Sequence, residues 1–247
     1  MTCNEIVAEL QANASEKYKK NVVKMGIPEE NCIGVSTSIV RNLAKKIEKS
    51  NDLAFELWKT GYHEAKLLAV LLFDKKTILH EDIEKLILDV TSWDLCDHLC
   101  KNLIMKVKGY DRFISEWIIS SQTYKKRAAF TLIAASVIHN KSIENDTLDD
   151  YLRMIKDNSH EEHEHIKKAV SWALREIGKK DFEYNEKAIL LAYELRDGGN
   201  KAQVWIGKDV IKELENTVKV EGRKRLISTK TQMGGEVVAN GRDTVIE

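Results

Sequence analysis

The stretch TSWDLCDHLC, residues 91–100, combines an indole and a carboxylate within about one turn of a helix. Trp93 and Asp97 are four residues apart, and side chains at positions i and i+4 of a helix contact each other. An indole face attracts cations, and a carboxylate stabilises positive charge. The pair therefore indicates a site for a positively charged group. The alternative is that Trp93 only packs in the core and Asp97 is only a solvated acid, so that neither belongs to a site.

The charge of the chain alternates along its second half. Residues 101–142 contain eight Lys and Arg against two acids, residues 143–165 eight acids against two bases, and residues 166–182 five bases against two acids. This alternation predicts basic groups on one side of a repetitive helical structure, or else ordinary solvated helix faces. The net charge is zero, with 39 bases and 39 acids, and by itself neither favours nor excludes a nucleic-acid partner.

Apolar residues recur with helical spacing along nearly the whole chain, and no alternating strand pattern is found. Short polar segments separate helices of roughly ten to sixteen residues, which predicts an all-α solenoid of antiparallel helix pairs. A faint repeat of about 35–40 residues is close to the HEAT range. An irregular helical bundle is the alternative. We expect one repeat domain over residues 1–226 and a poorly ordered tail over 227–247, which lacks helical periodicity.

Four ordered blocks of sequence resemble the DNA alkylation repair family, the AlkD-like DNA glycosylases. The blocks are GVSTSIVRNLAKKI (34–47), SWDLCDHLCKNLI (92–104), KKRAAFTLIA (125–134) and KKAVSWALREIGKK (167–180). The resemblance extends over roughly residues 5–218. It implies a solenoid of HEAT-like repeats whose basic concave face grips duplex DNA, and excision of positively charged alkylated purines.

The resemblance also implies roles for individual residues. Asp97 matches the catalytic aspartate of the family, while Trp93 and Trp172 match its site tryptophans. Arg127 and Arg175 match arginines that face the DNA.

Three further positions complete the predicted site. Tyr18 matches an N-terminal aromatic residue of the family's site, and Lys126 and Lys168 are expected phosphate contacts. The chain departs from the family at Ser92, where better-known members have a second tryptophan beside the one at Trp93. This departure leaves the range of substrates open.

No metal ion and no organic cofactor are expected. The run HEEHEH at 160–165 is dense in histidine, but it is rich in acids and has no second ligand cluster. Cys96 and Cys100 lie one turn apart without a second cysteine pair, so we expect reduced thiols rather than a zinc site. No apolar run is long enough to span a membrane, and no secretory signal is recognised.

These observations predict a monofunctional glycosylase, since no residue is marked as a Schiff-base lysine. It would act as a monomer on duplex DNA containing alkylated bases, in the cytoplasm of a bacterium or archaeon. Two alternatives stay open: a non-catalytic HEAT-like protein that binds DNA structure, and a helical-repeat scaffold for protein interactions.

Overall fold

The structure, a computed structural model, describes residues 1–243. Within this range the chain forms fourteen α-helices, two short 3₁₀ turns and one hairpin of two-residue strands, which confirms the all-α fold class. The backbone groups into two compact units, residues 1–113 and the residues from Ile114 onward. None of the helices in the described part of the chain is long and apolar enough to cross a membrane.

The first unit is built from helix pairs. Its helices are α1 (Cys3–Ala12), α2 (Glu16–Val23), α3 (Thr37–Ala44), α4 (Asn51–Lys59), α5 (His63–Leu72), α6 (His80–Leu88) and α7 (Trp93–Asn102), and α8 (Asp111–Trp117) crosses the boundary. Helices α3, α5 and α7 pack in a row, and α4 packs on α5. Hydrogen bonds join His63 to Asp94 and Leu67 to His98, in each case over 31 residues. The two contacting residues of α5 follow each other in the same order as their partners in α7, so the two helices run parallel. The local repeat is therefore 31 residues.

The loop before α3 has a conformation that only glycine allows. Gly34 has φ +95°, and a Cβ atom there would lie 2.7 Å from Cβ of Lys19 and 2.9 Å from the carbonyl oxygen of Ser15. The Glu64 side chain on α5 is fully buried, and its carboxylate accepts hydrogen bonds from the backbone amides of residues 33–35. This carboxylate fixes the start of α3 against α5.

The second unit has a longer repeat. Its elements are α9 (Thr123–His139), α10 (Asn145–Asn158), α11 (Glu164–Gly178), α12 (Phe182–Gly198), α13 (Lys201–Leu214), β1 (Thr217–Val218), β2 (Ile227–Ser228) and α14 (Gln232–Asp243). Helices α9, α11 and α13 pack in a row, while α10 and α12 cover them. Side-chain contacts from Ser171 to Asp209 and from Arg175 to Glu213 each span 38 residues. The expected repeat of about 35–40 residues thus agrees with this unit and exceeds that of the first.

The segment after residue 226 contains regular structure that its sequence pattern does not indicate. Strands β1 and β2 pair antiparallel, with Thr217 opposite Ser228, and α14 packs against β1. Gly234 and Gly235 interrupt the helical pattern of α14, because glycine is a poor helix former. The Arg225 guanidinium donates hydrogen bonds to α9 and α11 and so ties the hairpin to both helices. Residues 244–247 of the predicted tail lie outside the described residues.

A division into two units is compatible with one repeat domain. The single domain over residues 1–226 stays a prediction.

Candidate functional site

Helix α7 begins directly at Trp93, so the indole and the Asp97 carboxylate project from its first two turns. The preceding Ser92 is buried and extended, with φ −138°. Leu95 and Leu99 are fully buried and hold the helix in the core, whereas Trp93 is 37% exposed and Asp97 is partly buried. The indole is therefore accessible, and it lies one helical turn before the carboxylate.

A hydrogen bond between His63 and Asp94 holds the first turn of α7 against α5. Oδ2 of Asp94 lies 2.7 Å from Nε2 of His63. Burial raises the pKa of Asp94, but the hydrogen bond and charge of His63 outweigh it, and the pKa of this carboxyl lies below its ordinary value. Asp94 is thus an ionised structural partner of His63.

His98 fixes the second turn of α7 as a neutral group. Burial first, and then the nearby charge of Arg41, lowers the pKa of His98 to about 4. Its Nε2 lies 3.0 Å from the carbonyl oxygen of Leu67, and Nδ1 lies 3.1 Å from the side-chain amide of Asn102. Since a neutral imidazole has one donor and one acceptor, Nε2 donates to the carbonyl and Nδ1 accepts from the amide.

The side chains of Trp93 and Asp97 lie on an edge of α7 next to the one that carries Asp94 and His98. Successive residues of a helix advance by about 100°, which separates this edge from the one that faces α5. The residues that hold α7, His63 and His98, were missed in the sequence because each looks isolated there. The 31-residue repeat would have revealed them, since it aligns His63 with Asp94.

Trp172 lies in the middle of α11, in the second unit, and is half-buried. Lys168 lies one turn before it and Arg175 about one turn after it on the same helix. The ammonium group of Lys168 lies 3.0 Å from the carboxylate of Glu164, whose pKa is lowered to about 2 by its hydrogen bonds to Lys167 and Lys168. This pairing occurs at an exposed helix start, where ion pairs contribute little to stability.

Arg175 is neutralised by α13. Its guanidinium pairs with Glu213, and its Nε lies 3.5 Å from the carboxylate of Asp209. Lys179 shares the same Glu213 carboxylate at 2.9 Å. Burial raises the pKa of Glu213, yet Lys179 and Arg175 outweigh that effect and lower it. A DNA phosphate that contacted Arg175 would have to compete with two carboxylates.

The two predicted cations of α9 make hydrogen bonds within the protein. The side chain of Arg127 is 6% exposed, and its Nη1 donates to the carbonyl oxygen of His165 at 2.6 Å. Lys126 is also buried, and its ammonium group lies 3.3 Å from the carboxylate of Glu161. Their contact with DNA stays a prediction and would require these side chains to rearrange.

Tyr18 lies on α2 in the first unit. It is half-buried and packs against a small apolar cluster formed by Val22, Ile27 and Cys32. Its part in a site stays a prediction.

No group of three or more His, Cys, Asp or Glu side chains in residues 1–243 is arranged to hold a metal ion. In the histidine-rich run, His163 and His165 have ring centres 5.6 Å apart, and His163 caps α11 by accepting from the backbone amide of His165. Cys96 and Cys100 are buried and form no disulfide bond within the described residues.

Comparisons with known proteins agree with this architecture. Residues 6–197 match the family model described as DNA alkylation repair enzyme. A solved structure from a new family of proteins related to the HEAT-like repeat DNA glycosylases, with affinity for branched DNA structures, superposes with a TM-score of 0.72. It is 23% identical and the match covers 99% of this chain and 95% of that one, which confirms the HEAT-like repeat fold. No curated protein sequence matches. Since the family model covers well over half of the chain, the protein belongs to the DNA alkylation repair enzyme family.

Proposed function

We propose that this protein is a monofunctional DNA glycosylase that releases positively charged N3- or N7-alkylated purines from duplex DNA. The observation that carries the proposal is the pair on α7: an accessible indole at Trp93 one turn from a carboxylate at Asp97. Membership of the DNA alkylation repair enzyme family supports the same reading.

One carboxylate is sufficient for this reaction. A purine alkylated at N3 or N7 carries a positive charge, so the electron pair of the breaking C1′–N bond neutralises the ring and the base leaves without protonation. Asp97 stabilises the positive charge that develops on the sugar and orients a water molecule. The water oxygen bonds to C1′ and its proton passes to the carboxylate. The products are the free alkylated base and an abasic site.

The tryptophans provide discrimination against normal bases. A tryptophan face stabilises a cation by ~0.5–2 kcal/mol, and an uncharged purine gains none of this term. Trp93, at the accessible edge of α7, and Trp172, on α11, are the proposed indoles. We expect Trp93→Leu to lower the rate of base release by about 2- to 30-fold, with unchanged affinity for undamaged duplex.

The decisive experiment measures free 7-methylguanine and 3-methyladenine released from methylated duplex DNA. We expect Asp97→Asn to lower the rate by about a hundredfold or more, because the amide can neither accept the proton nor stabilise the cation. Asp146→Asn, at an exposed position on α10, is the matched control and retains the wild-type rate. Equal rates for wild type and Asp97→Asn would refute the assignment.

Recognition of branched DNA without base release is a second candidate function. Two observations favour it. The structural neighbour has affinity for branched DNA. The side chains of Lys126, Lys168 and Arg175 are already paired with carboxylates of the protein. A wild-type protein that releases no base, but binds a four-way junction more tightly than a linear duplex, would establish this function in place of the first.

A further inference from the structure

The C-terminal ends of α3, α5 and α7 carry an excess of positive charge along one edge of the first unit. We call this edge the basic edge and define it as residues 41–49, 73–76 and 104–108. These segments contain eight Lys and Arg against two acids, Glu48 and Asp74. The eight are Arg41, Lys45, Lys46, Lys49, Lys75, Lys76, Lys106 and Lys108.

The packing of the helices brings these segments together. Helices α3 and α7 both pack on α5. The ammonium group of Lys49, after α3, donates to the carbonyl oxygen of Phe73 at the end of α5, at 3.2 Å. Lys106 closes the 3₁₀ turn that follows α7, and burial together with the charges of Lys49, Lys75 and Arg41 lowers the pKa of its ammonium group. The cations of all three helix ends therefore act on one another.

The described part of the chain offsets only part of this charge. None of the eight side chains forms an ion pair there, whereas Lys126, Lys168 and Arg175 in the second unit are all paired with acids. The partial negative charge at a helix C-terminus is about half an elementary charge. The partial charges of three helix ends and the charges of two acids together offset fewer than half of the eight positive charges. Attraction to the protein's own helix ends therefore does not account for the cluster.

The dimensions of the edge match a polyanion rather than a single phosphate. Helices that pack side by side are about 8–10 Å apart, so three of them span about 16–20 Å. One DNA strand has a phosphate about every 3.4 Å, which places about five or six phosphates along this length. We infer that the basic edge binds the phosphate backbone of duplex DNA and forms a grip separate from the cations of α9 and α11. This inference rests on duplex DNA being the substrate in the proposed function.

The test is a triple variant with one neutralised lysine at each helix end, Lys45→Gln/Lys75→Gln/Lys106→Gln. These side chains are exposed. The matched control, Lys24→Gln/Lys59→Gln/Lys85→Gln, removes the same charge from the ends of α2 and α4 and from α6. Binding of an undamaged 20-base-pair duplex is measured from about 0.05 to 0.5 M salt, and base release is measured on methylated duplex.

We expect the triple variant to lose about three units from the slope of log K against log salt, since each phosphate contact contributes about 0.9. The same contacts predict a loss of affinity of about a hundredfold at 0.15 M salt, and the control variant retains the wild-type slope. An unchanged slope in the triple variant, or an equal loss in the control, would overturn the inference.

Base release distinguishes this inference from the proposed function. A wild type that releases no base, combined with a reduced slope in the triple variant, supports the basic edge and removes the glycosylase. If the wild type releases bases while the triple variant keeps the wild-type slope, the glycosylase is supported and the basic edge is refuted. Tighter binding of an acidic polypeptide than of duplex DNA, lost in the triple variant, would assign the edge to a protein partner and overturn the inference.

Discussion

Replacing Glu64 with alanine is expected to destabilise the first unit strongly, and the structure allows the size of the effect to be worked out. The carboxylate is 1% exposed and accepts from the amides of Ile33 at 2.9 Å, Gly34 at 2.6 Å and Val35 at 3.1 Å. Alanine leaves three buried donors without an acceptor, at about 1–3 kcal/mol each. Water that enters the vacated space satisfies some of them, which puts the loss at about 3–5 kcal/mol.

Glutamine separates the contribution of the acceptors from that of the packing. Its carbonyl oxygen replaces the oxygen that accepts from Gly34 and Val35, while its amide nitrogen faces the N–H of Ile33 and cannot accept. One hydrogen bond is lost, so we expect Glu64→Gln to cost about 1–3 kcal/mol. The matched control is Glu56→Ala, at an exposed position on α4, with an expected change within about 0.5 kcal/mol.

Urea unfolding followed by circular dichroism gives the free-energy changes, and hydrogen exchange of peptides covering 32–44 locates them. The reasoning holds if protection is lost first at residues 33–35 in Glu64→Ala. It is wrong if that variant unfolds within about 1 kcal/mol of the wild type, because three buried amides would then cost nothing measurable.

Three further predictions follow from the site and its supports. The folded-state pKa of His98 is about 4 against an ordinary 6.5, so its contribution to stability is complete above pH 6.5 and is lost as the pH falls towards 4. Between pH 7.5 and 4.5 the wild type should therefore lose about 2–3 kcal/mol more unfolding free energy than His98→Gln, and equal losses would contradict the pKa. Glu213→Gln weakens the neutralisation of Arg175 and should make the salt dependence of duplex binding steeper by about one unit; an unchanged slope would mean that Arg175 does not contact phosphate. Gly207→Ala places a methyl group into the backbone of α12 and should cost about 1–3 kcal/mol in thermal unfolding, whereas Gly198→Ala meets nothing and serves as its control.

Sequence periodicity was enough to predict most of the helices. Apolar residues recur with helical spacing at about 124–139, 162–178 and 182–196. These stretches correspond to α9, α11 and α12, with ends within about two residues. Helix α11 buries one face, and a periodic pattern contains that information, whereas α9 is buried on all sides over residues 126–137 and is indicated by the length of its apolar sequence. The segment after residue 226 has no such pattern, and α14 packs against β1, a strand that lies earlier in the chain and pairs with β2.

The candidate site divides in the same way. The spacing of Trp93 and Asp97 is local, so the sequence was sufficient to predict that one helix carries both side chains, four residues apart. The acids that bind Arg175 lie 34 and 38 residues further along, and only the packing of α11 on α13 brings them close. A lysine or arginine in a sequence indicates a charge, but not whether a distant carboxylate already neutralises it. The same limitation hid the basic edge, which is defined by lysines that have no such partner.

The anchoring of the hairpin by Arg225 has a consequence for the order in which the chain is made. Most side-chain contacts of the second unit join neighbouring repeats, but Arg225 reaches back 88 residues to the carbonyl of Val137 and 49 residues to Glu176. During synthesis, all seven helices of the first unit emerge before this arginine is added. At ~5–20 residues per second, Arg225 is added roughly 4–18 s after Val137 and roughly 2–10 s after Glu176. During these intervals the carbonyl groups of Val137 and Glu176 lack the guanidinium donor, so the second unit gains this anchor only after both helices have been made.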